Sequence, residues 1–213
     1  MSGGARKALI TGALGFAGRH LLAELERGTD WELIGLARGH VSSVGRARML
    51  ACDLRDADLV SRVVQHHRPD VVFHLAAQSY VPKSIAAPAE TIVNNVSAQV
   101  NLLEACRQAG LDPTILIVGS SEAYGQISPD DVPLREDQPF RPVNPYAVSK
   151  IAQEMLGLQY ALSYGMRIIR ARPFNHFGPG QSDRFVLSTF ARQVAEAEFG
   201  RIEPVVLTGN LDA

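Results

Sequence analysis

The chain has 213 residues with a formal net charge of −1, from 21 Lys and Arg against 22 Asp and Glu, and 46% of it is hydrophobic. This length suits one full domain and part of another, and the composition excludes disordered, collagenous and disulfide-scaffold classes. The near-neutral charge speaks against nucleic-acid binding, and no apolar stretch is long enough to span a membrane. Cys52 and Cys106 stand far apart and outside any CxxC pattern. We therefore expect neither a metal site nor a redox pair, and a reducing cytoplasmic location.

Short apolar runs alternate with longer helical patterns along the whole chain, which is typical of βαβ units around a parallel sheet. The predicted strands are 8–11, 32–37, 47–51, 71–75, 114–118 and 167–171, and most are rich in Val, Ile and Leu. The predicted helices are 16–27, 56–67, 90–109, 145–163 and 185–199, and residues 126–143 are predicted to form a long surface loop. Strands of this composition are covered on both faces. The pattern predicts an α/β protein with a Rossmann-type doubly wound parallel sheet.

Three glycines follow the first predicted strand in the segment TGALGFAG, namely Gly12, Gly15 and Gly18. The first permits a tight turn, the second lets the backbone approach a pyrophosphate at the positive end of a helix, and the third lets helix and strand pack closely. A glycine triplet alone would indicate only a turn with close packing. Its place between a strand and a helix predicts a dinucleotide-binding site.

The residues after the second and third predicted strands bear on the choice of dinucleotide. Arg38, in LARGH, stands where an acid would bind the ribose 2′-hydroxyl of NAD(H). Because an arginine can pair with a 2′-phosphate, NADP(H) is favoured over NAD(H), the alternative being a solvated loop arginine. Asp53 could accept a hydrogen bond from the adenine amino group, cap the helix that follows, or do both.

Candidate catalytic residues follow the fifth predicted strand and lie on the helix after it. Tyr146 and Lys150, in NPYAVSK, stand one helical turn apart, and a nearby ammonium would favour the phenolate for proton transfer. Ser120, Ser121 and Glu122, in GSSEAYG, emerge at the carboxyl edge of the sheet, where open α/β sheets bind ligands. The alternative is that Tyr146 and Lys150 lie on the helix surface and that the serines only cap a turn. Because several motifs meet at one edge of the sheet, an active site is favoured.

Together with HLAAQS and RPFNHFGPGQ, these motifs indicate a family. Over essentially its whole length the chain resembles the extended short-chain dehydrogenase/reductases that act on nucleotide sugars. The resemblance implies that Tyr146 is the catalytic acid/base, that Lys150 orients the nicotinamide ribose and tunes the tyrosine, and that Ser120 holds the C4 oxygen of the sugar. It implies further cofactor contacts from Leu14, Phe16, Leu54, Leu75, Ala76, Ala77 and Pro173, besides Tyr146 and Lys150. The implied substrate contacts are Ser79, Ser121, Asn175 and Arg184.

Within that family, SSEAYG, PVNPYAVSK and FNHFGPGQSDRFV look most like the group of GDP-mannose 4,6-dehydratases and GDP-4-keto-6-deoxymannose reductases. Dehydratases of the group usually have a threonine where this chain has Ser120, an arginine-rich insertion after strand two, and a glutamate base matching Glu122. The short connection from Arg38 to Asp53 favours the reductase, which reduces a 4-keto group with NADPH to a GDP-rhamnose-type product. The dehydratase, a UDP- or dTDP-hexose epimerase or dehydratase, and a non-catalytic dinucleotide-binding protein stay open as alternatives.

The resemblance also implies a domain layout. Residues 1–174 would form the NADP(H)-binding Rossmann domain, and residues 175–213 the start of a sugar-nucleotide-binding region. That region would be incomplete, because family members continue beyond this point, and we expect low affinity and turnover as a result. The expected partners are a GDP-hexose or related nucleotide sugar and a second copy of the chain, in a homodimer or higher homo-oligomer. An apolar stripe with Val96, Val100 and Leu103 is either core or interface.

Overall fold

The computed structural model describes residues 5–39, 41 and 43–209. The chain divides into two compact units, Met1–Phe174 and Asn175–Ala213. The strands are β1 (Lys7–Thr11), β2 (Glu32–Ala37), β3 (Arg48–Ala51), β4 (Val71–His74), β5 (Thr114–Val118) and β6 (Ile168–Ala171). They form one sheet in the order β3-β2-β1-β4-β5-β6, and every neighbouring pair is parallel. This is the strand order of a Rossmann fold, so the predicted fold class is confirmed.

The helices are α1 (Phe16–Gly28), α2 (Ala57–His67), α3 (Val81–Ala86), α4 (Pro88–Gln108), α5 (Pro145–Tyr164) and α6 (Val186–Glu198). Two short 3-10 helices lie at Ser121–Ala123 and Pro129–Asp131. All predicted helices and strands are present, with ends shifted by at most two residues. Helix α3 was not predicted from the sequence, because six residues are too few to establish an apolar period.

Helices cover both faces of the sheet, as the apolar strands predicted. Leu9 of β1 belongs to a core cluster with Val60 of α2 and Leu102 of α4. Its neighbour Ile10 belongs to a second cluster with Leu22 of α1. Because successive side chains of a strand point to opposite faces, these two clusters lie on the two sides of the sheet. The fold is therefore doubly wound.

Helix α5 begins at a side-chain cap and packs closely on the sheet. The Asn144 side chain accepts a hydrogen bond from the backbone N–H of Ala147 at 2.8 Å. A Cβ atom at Gly157 would lie 2.7 Å from Cδ1 of Ile117 in β5, so the glycine permits the close approach. The cap sets where α5 begins, and the close contact at Gly157 holds the helix against β5.

The second unit contains α6 and the segment after it. Gln193 of α6 accepts from the backbone N–H of Leu207 at 2.8 Å and donates to the carbonyl of the same residue at 3.2 Å. Among the described residues of the whole chain, no helix is long and apolar enough to cross a membrane, and no group of three or more His, Cys, Asp or Glu side chains could hold a metal ion.

Candidate active site

The glycine turn between β1 and α1 is tightly built. Gly12 has a positive φ of 68°, and a Cβ atom there would lie 2.9 Å from the backbone nitrogen of Ala76. A Cβ atom at Gly18 would lie 2.3 Å from the carbonyl oxygen of Gly12, so only glycine lets α1 pack this close to the turn. Gly15 is the N-cap of α1, and the first turn of this helix carries no acidic side chain. The positive end of α1 is therefore available to an anion.

A cavity of about 310 Å³, which we call the glycine-turn cavity, opens beside this turn, at the carboxyl ends of the parallel strands. Its lining includes eight residues that the sequence predicted as cofactor contacts, Gly12, Leu14, Gly15, Arg38, Asp53, Leu54, Ala76 and Ala77. It also includes six that the sequence analysis missed, Leu36, Ala37, Cys52, Arg55, Asn94 and Ala98. The predicted contacts outside this lining are Phe16, Gly18, Leu75, Tyr146, Lys150 and Pro173. Leu36, Ala37 and Cys52 could have been inferred from the strand ends, whereas Asn94 and Ala98 come from α4, which only the folded chain brings here.

Two arginines and one aspartate give the cavity wall its charge. Nε of Arg55 donates to both carboxylate oxygens of Asp53, at 3.0 and 3.1 Å. These hydrogen bonds lower the pKa of Asp53 to about 2. The predicted helix cap at Asp53 is wrong, because Asp56 caps α2 by accepting from the N–H of Leu59 at 2.9 Å. With Asp53 paired to Arg55, the exposed Arg38 leaves this wall with a net positive charge.

A second group of predicted residues meets at the end of β5. Ser120 is buried and caps the short 3-10 helix after β5, accepting from the N–H of Glu122 at 3.2 Å. The Ser120 hydroxyl also lies beside the phenol of Tyr146, on the first turn of α5, and lowers the pKa of that phenol. Asn144, the cap of α5, donates from its amide nitrogen to the carboxylate of Glu122 at 2.8 Å. The structure thus brings together Ser120, Glu122 and Tyr146, and it adds Asn144, the N-cap residue of α5.

The electrostatics of Tyr146 differ from the expectation. Burial is the main cause that raises the pKa of Tyr146. The Ser120 hydroxyl lowers it, and the Glu122 carboxylate raises it further. Lys150 is not among the causes that shift the pKa of Tyr146, and its Nζ donates to the side-chain oxygen of Gln153 at 2.8 Å. Burial lowers the pKa of Lys150 itself to about 8. Tyr146 and Lys150 lie one turn apart on α5, as predicted. The pKa of Tyr146 is nevertheless raised by burial and not lowered by the lysine. The phenol of Tyr146 is therefore protonated at neutral pH.

The predicted substrate contacts lie in different places. The N–H of Ser121 donates to the carbonyl of Pro173 at 3.0 Å, which joins the segments after β5 and β6. Ser79 is exposed in the loop after β4. Asn175 and Arg184 belong to the second unit, in which both are exposed. The substrate-binding roles of these four residues stay predictions.

A family model described as GDP-mannose 4,6 dehydratase matches residues 9–213. The chain belongs to this family. GDP-6-deoxy-D-mannose reductase from Pseudomonas aeruginosa is 37% identical over 208 residues, which cover 97% of this chain and 64% of the reductase. The chain thus spans less than two thirds of that relative. The family inferred from the sequence motifs is confirmed.

Two solved structures of the same fold carry different dinucleotides. The structure of RMD from Pseudomonas aeruginosa, complexed with NADPH, has a TM-score of 0.81 and 38% identity, covering 93% of this chain and 63% of that one. UDP-glucose 4-epimerase from Thermus thermophilus, in complex with NAD, has a TM-score of 0.81 and 34% identity, covering 90% of this chain and 63% of that one. The fold of the GDP-mannose 4,6-dehydratase family is therefore shared by proteins that bind either dinucleotide.

Proposed function

We propose that this chain provides the NADP(H) site and the proton-transfer residues of a nucleotide-sugar reductase. Its substrate would be GDP-4-keto-6-deoxymannose, whose 4-keto group is reduced to give a GDP-rhamnose-type product. The observation that carries the proposal is that Ser120, Tyr146 and Glu122 meet at the end of β5, at the same edge of the sheet as the glycine-turn cavity. The name of the Pseudomonas aeruginosa relative, GDP-6-deoxy-D-mannose reductase, supports the substrate class.

The cavity fits a dinucleotide. Gly12 lets the turn lie against the backbone of Ala76, and Gly15 brings no side chain to the positive end of α1, where a pyrophosphate would bind. Arg38, with its guanidinium exposed at the cavity, would hold a 2′-phosphate, and NADPH in the RMD structure supports NADP(H) over NAD(H). When bound, the nicotinamide supplies hydride for reduction of the carbonyl carbon. We propose the unit Met1–Phe174 as the NADP(H)-binding part and Asn175–Ala213 as the start of the sugar-nucleotide region.

Tyr146 would act as the proton donor. The raised pKa of Tyr146 keeps the phenol protonated, which suits an acid that protonates the C4 oxygen during reduction. Ser120, which lies beside the Tyr146 phenol, would donate to the same oxygen and stabilise the charge that develops there. Lys150 would orient the nicotinamide ribose with its ammonium group.

A second candidate function is 4,6-dehydration of GDP-mannose, which the description of the matching family model favours. Tyr146 would then have to act first as a base, and Glu122 would remove the C5 proton. A protonated phenol suits this order less well than reduction. In the reductase, Glu122 would instead keep Tyr146 protonated, held in place by its hydrogen bond from Asn144.

Two incubations of the purified chain separate these functions. The first contains enzymatically made GDP-4-keto-6-deoxymannose with NADPH, and the second contains GDP-mannose. The reductase function predicts loss of one NADPH per keto sugar. Absorbance at the nicotinamide band and analysis of the sugar product measure this loss. A 4-keto product from GDP-mannose without net change in cofactor would overturn the proposal in favour of the dehydratase. NADPH that stays unconsumed with the keto sugar would overturn it as well.

We also propose that the protein acts as a homo-oligomer in the cytoplasm. Of the predicted stripe, Leu103 is fully buried in the core, while Val96 and Val100 are only half-buried. Exposed apolar side chains on α4 and α5, such as Val93 and Leu162, support a contact between copies through these helices. Light scattering during size-exclusion chromatography should give at least twice the monomer mass, and a monomer mass would contradict an oligomer.

A further inference from the structure

A chain of buried side chains connects Lys150 of α5 with the end of β1. Nζ of Lys150 lies 2.8 Å from Oε1 of Gln153. Nε2 of Gln153 lies 3.0 Å from the carbonyl oxygen of Asn95 and 3.3 Å from Nε2 of His74. Nδ1 of His74 lies 2.9 Å from the hydroxyl oxygen of Thr11. We call Thr11, His74, Gln153 and Lys150 the buried relay, since none of the four is more than 4% exposed.

The chemistry of the partners fixes the orientation of the Gln153 amide. A backbone carbonyl can only accept, so the amide nitrogen of Gln153 must face Asn95 and the amide oxygen must face the Lys150 ammonium. The second hydrogen of the amide then points at Nε2 of His74, which must be unprotonated to accept it. The ring proton of His74 is therefore on Nδ1, from which it is donated to Thr11.

We propose that Gln153 is a positioning residue for Lys150, and that His74 and Thr11 tie this lysine to the glycine-turn cavity. The inference rests on the proposed function, in which Lys150 orients the nicotinamide ribose. The link to the cavity is the hydroxyl of Thr11, which also accepts from the N–H of Ala76 at 3.1 Å. Ala76 lines the cavity, and Thr11 directly precedes Gly12. One series of hydrogen bonds thus links Lys150 with the cavity wall beside the glycine turn, where the pyrophosphate would bind.

The groups around Lys150 explain why its support matters. Burial disfavours the ammonium form of Lys150, so a carbonyl oxygen in hydrogen-bonding contact stabilises the charge where water is excluded. His74 faces Lys150 from β4, and burial together with the Lys150 charge lowers the pKa of His74 to about 3, which keeps its ring neutral. Tyr146 lies one turn earlier on α5, and Glu122 acts on that tyrosine from the segment after β5. Gln153 therefore supplies a neutral acceptor beside the buried ammonium.

The protonation of Lys150 can be measured without any enzymatic activity. The chain has only three lysines, and Lys7 and Lys83 lie in partly exposed ion pairs with Glu32 and Glu90. Lysine labelled with ¹³C therefore gives three side-chain signals in NMR, and the two others serve as internal references. The titration of Lys150 is compared among the wild type, Gln153→Leu, Gln153→Glu and the control Gln99→Leu. Gln99 is equally buried, but its amide bonds the backbone carbonyl of Gln153 rather than Lys150.

Opposite shifts are expected from the two Gln153 variants. Gln153→Leu removes the acceptor and lowers the pKa of Lys150, whereas Gln153→Glu places a carboxylate beside the ammonium and raises it. Gln99→Leu leaves the titration of Lys150 as in the wild type. A purely structural role for Gln153 would not move the pKa of Lys150 in opposite directions, so unchanged titrations in both variants would overturn the proposal.

Binding of NADPH, measured by calorimetry on the same proteins, distinguishes this inference from the proposed function. We expect Gln153→Leu to weaken NADPH binding by roughly tenfold, the effect of one charged hydrogen bond, with Gln99→Leu unaffected. If Lys150 shows the opposite shifts but NADPH binds to none of the proteins, the positioning by Gln153 stands and the proposed function fails. If NADPH binds to all of them equally and Lys150 titrates identically, the function stands and the positioning fails.

The wild type supplies a test that does not depend on whether the variants fold. Nitrogen-15 shifts of the His74 ring should show the proton on Nδ1 and a lone pair on Nε2, as the donors and acceptors around the ring require. A proton on Nε2 would turn the Gln153 amide away from its described orientation and would overturn the proposal.

Discussion

The glycine-turn cavity and the buried relay lie at the same edge of the sheet but are built in different ways. The cavity is lined largely by residues at the strand ends and by small side chains, with Arg38 and Arg55 exposed to solvent. The relay joins side chains that are 63 and 79 residues apart in sequence, and each is bonded to the next. A surface that binds a charged ligand can stay open to water, whereas a buried polar group needs a partner for each donor and acceptor. In the proposed function both regions serve cofactor binding, whereas proton transfer belongs to Tyr146 beside Ser120 and Glu122. Substitutions should therefore separate binding from proton transfer.

The largest separation is expected from Tyr146→Phe. The change removes the proposed proton donor, so turnover should fall on the order of 10²–10⁴-fold, the usual contribution of a general acid. NADPH affinity should stay close to that of the wild type, because the change leaves the glycine turn, Arg38 and Lys150 in place. Steady-state kinetics and calorimetry measure the two quantities. Tyr164→Phe, an exposed tyrosine at the end of the same helix, is the matched control, and an unchanged rate in Tyr146→Phe would refute its role as the acid.

Arg38→Ala should have the converse effect on the cavity. Loss of the guanidinium should weaken NADPH binding by roughly 10- to 100-fold, as expected for charge-assisted hydrogen bonds to a phosphate. Binding of NADH, which lacks the 2′-phosphate, should change little. Arg27→Ala removes another exposed arginine, paired with Glu24 at the end of α1, and should affect neither dinucleotide. Equal losses for NADPH and NADH would show that Arg38 does not read the 2′-phosphate.

Gly12→Ala tests the turn that the two regions share. The new Cβ atom would lie 2.9 Å from the backbone nitrogen of Ala76, at a φ of 68° that L residues rarely adopt. We expect a loss of about 1–3 kcal/mol in the free energy of unfolding, measured by urea denaturation. Gly28→Ala, at the end of α1, is the control because a Cβ atom there meets nothing within 4 Å. Equal stability of Gly12→Ala and the wild type would contradict the described geometry of the turn.

The smallest effect is expected from Glu122→Gln, which leaves the shape of the site almost unchanged. The Glu122 carboxylate raises the pKa of Tyr146, so its removal should let the phenol lose its proton at a lower pH. The alkaline limb of the pH profile for keto-sugar reduction should move to lower pH, with the rate at neutral pH largely kept. If Glu122 is instead the base of a dehydratase, turnover of GDP-mannose should disappear at every pH.

The parts of the site that follow strands directly could be predicted from the sequence. Gly12 and Arg38 come immediately after β1 and β2, and a short motif in a strand-to-helix context is enough to place them. The pKa of Tyr146 could not be predicted, because a spacing of one helical turn gives the distance to Lys150 but not the burial that dominates. The contact between Gln153 and His74 could not be predicted either, since no local pattern indicates which residues of α5 and β4 meet.

Isotope tracing tests the central claim, reduction at C4 with the proton supplied by Tyr146, most directly. The chain is given GDP-4-keto-6-deoxymannose and NADPH deuterated at C4 of the nicotinamide, and the sugar product is examined by NMR and mass spectrometry. Reduction predicts one deuterium at C4 of the sugar for each NADPH consumed, and transfer slowed on the order of 10²–10⁴-fold in Tyr146→Phe. A product without deuterium at C4, or equal transfer by Tyr146→Phe, would contradict the account.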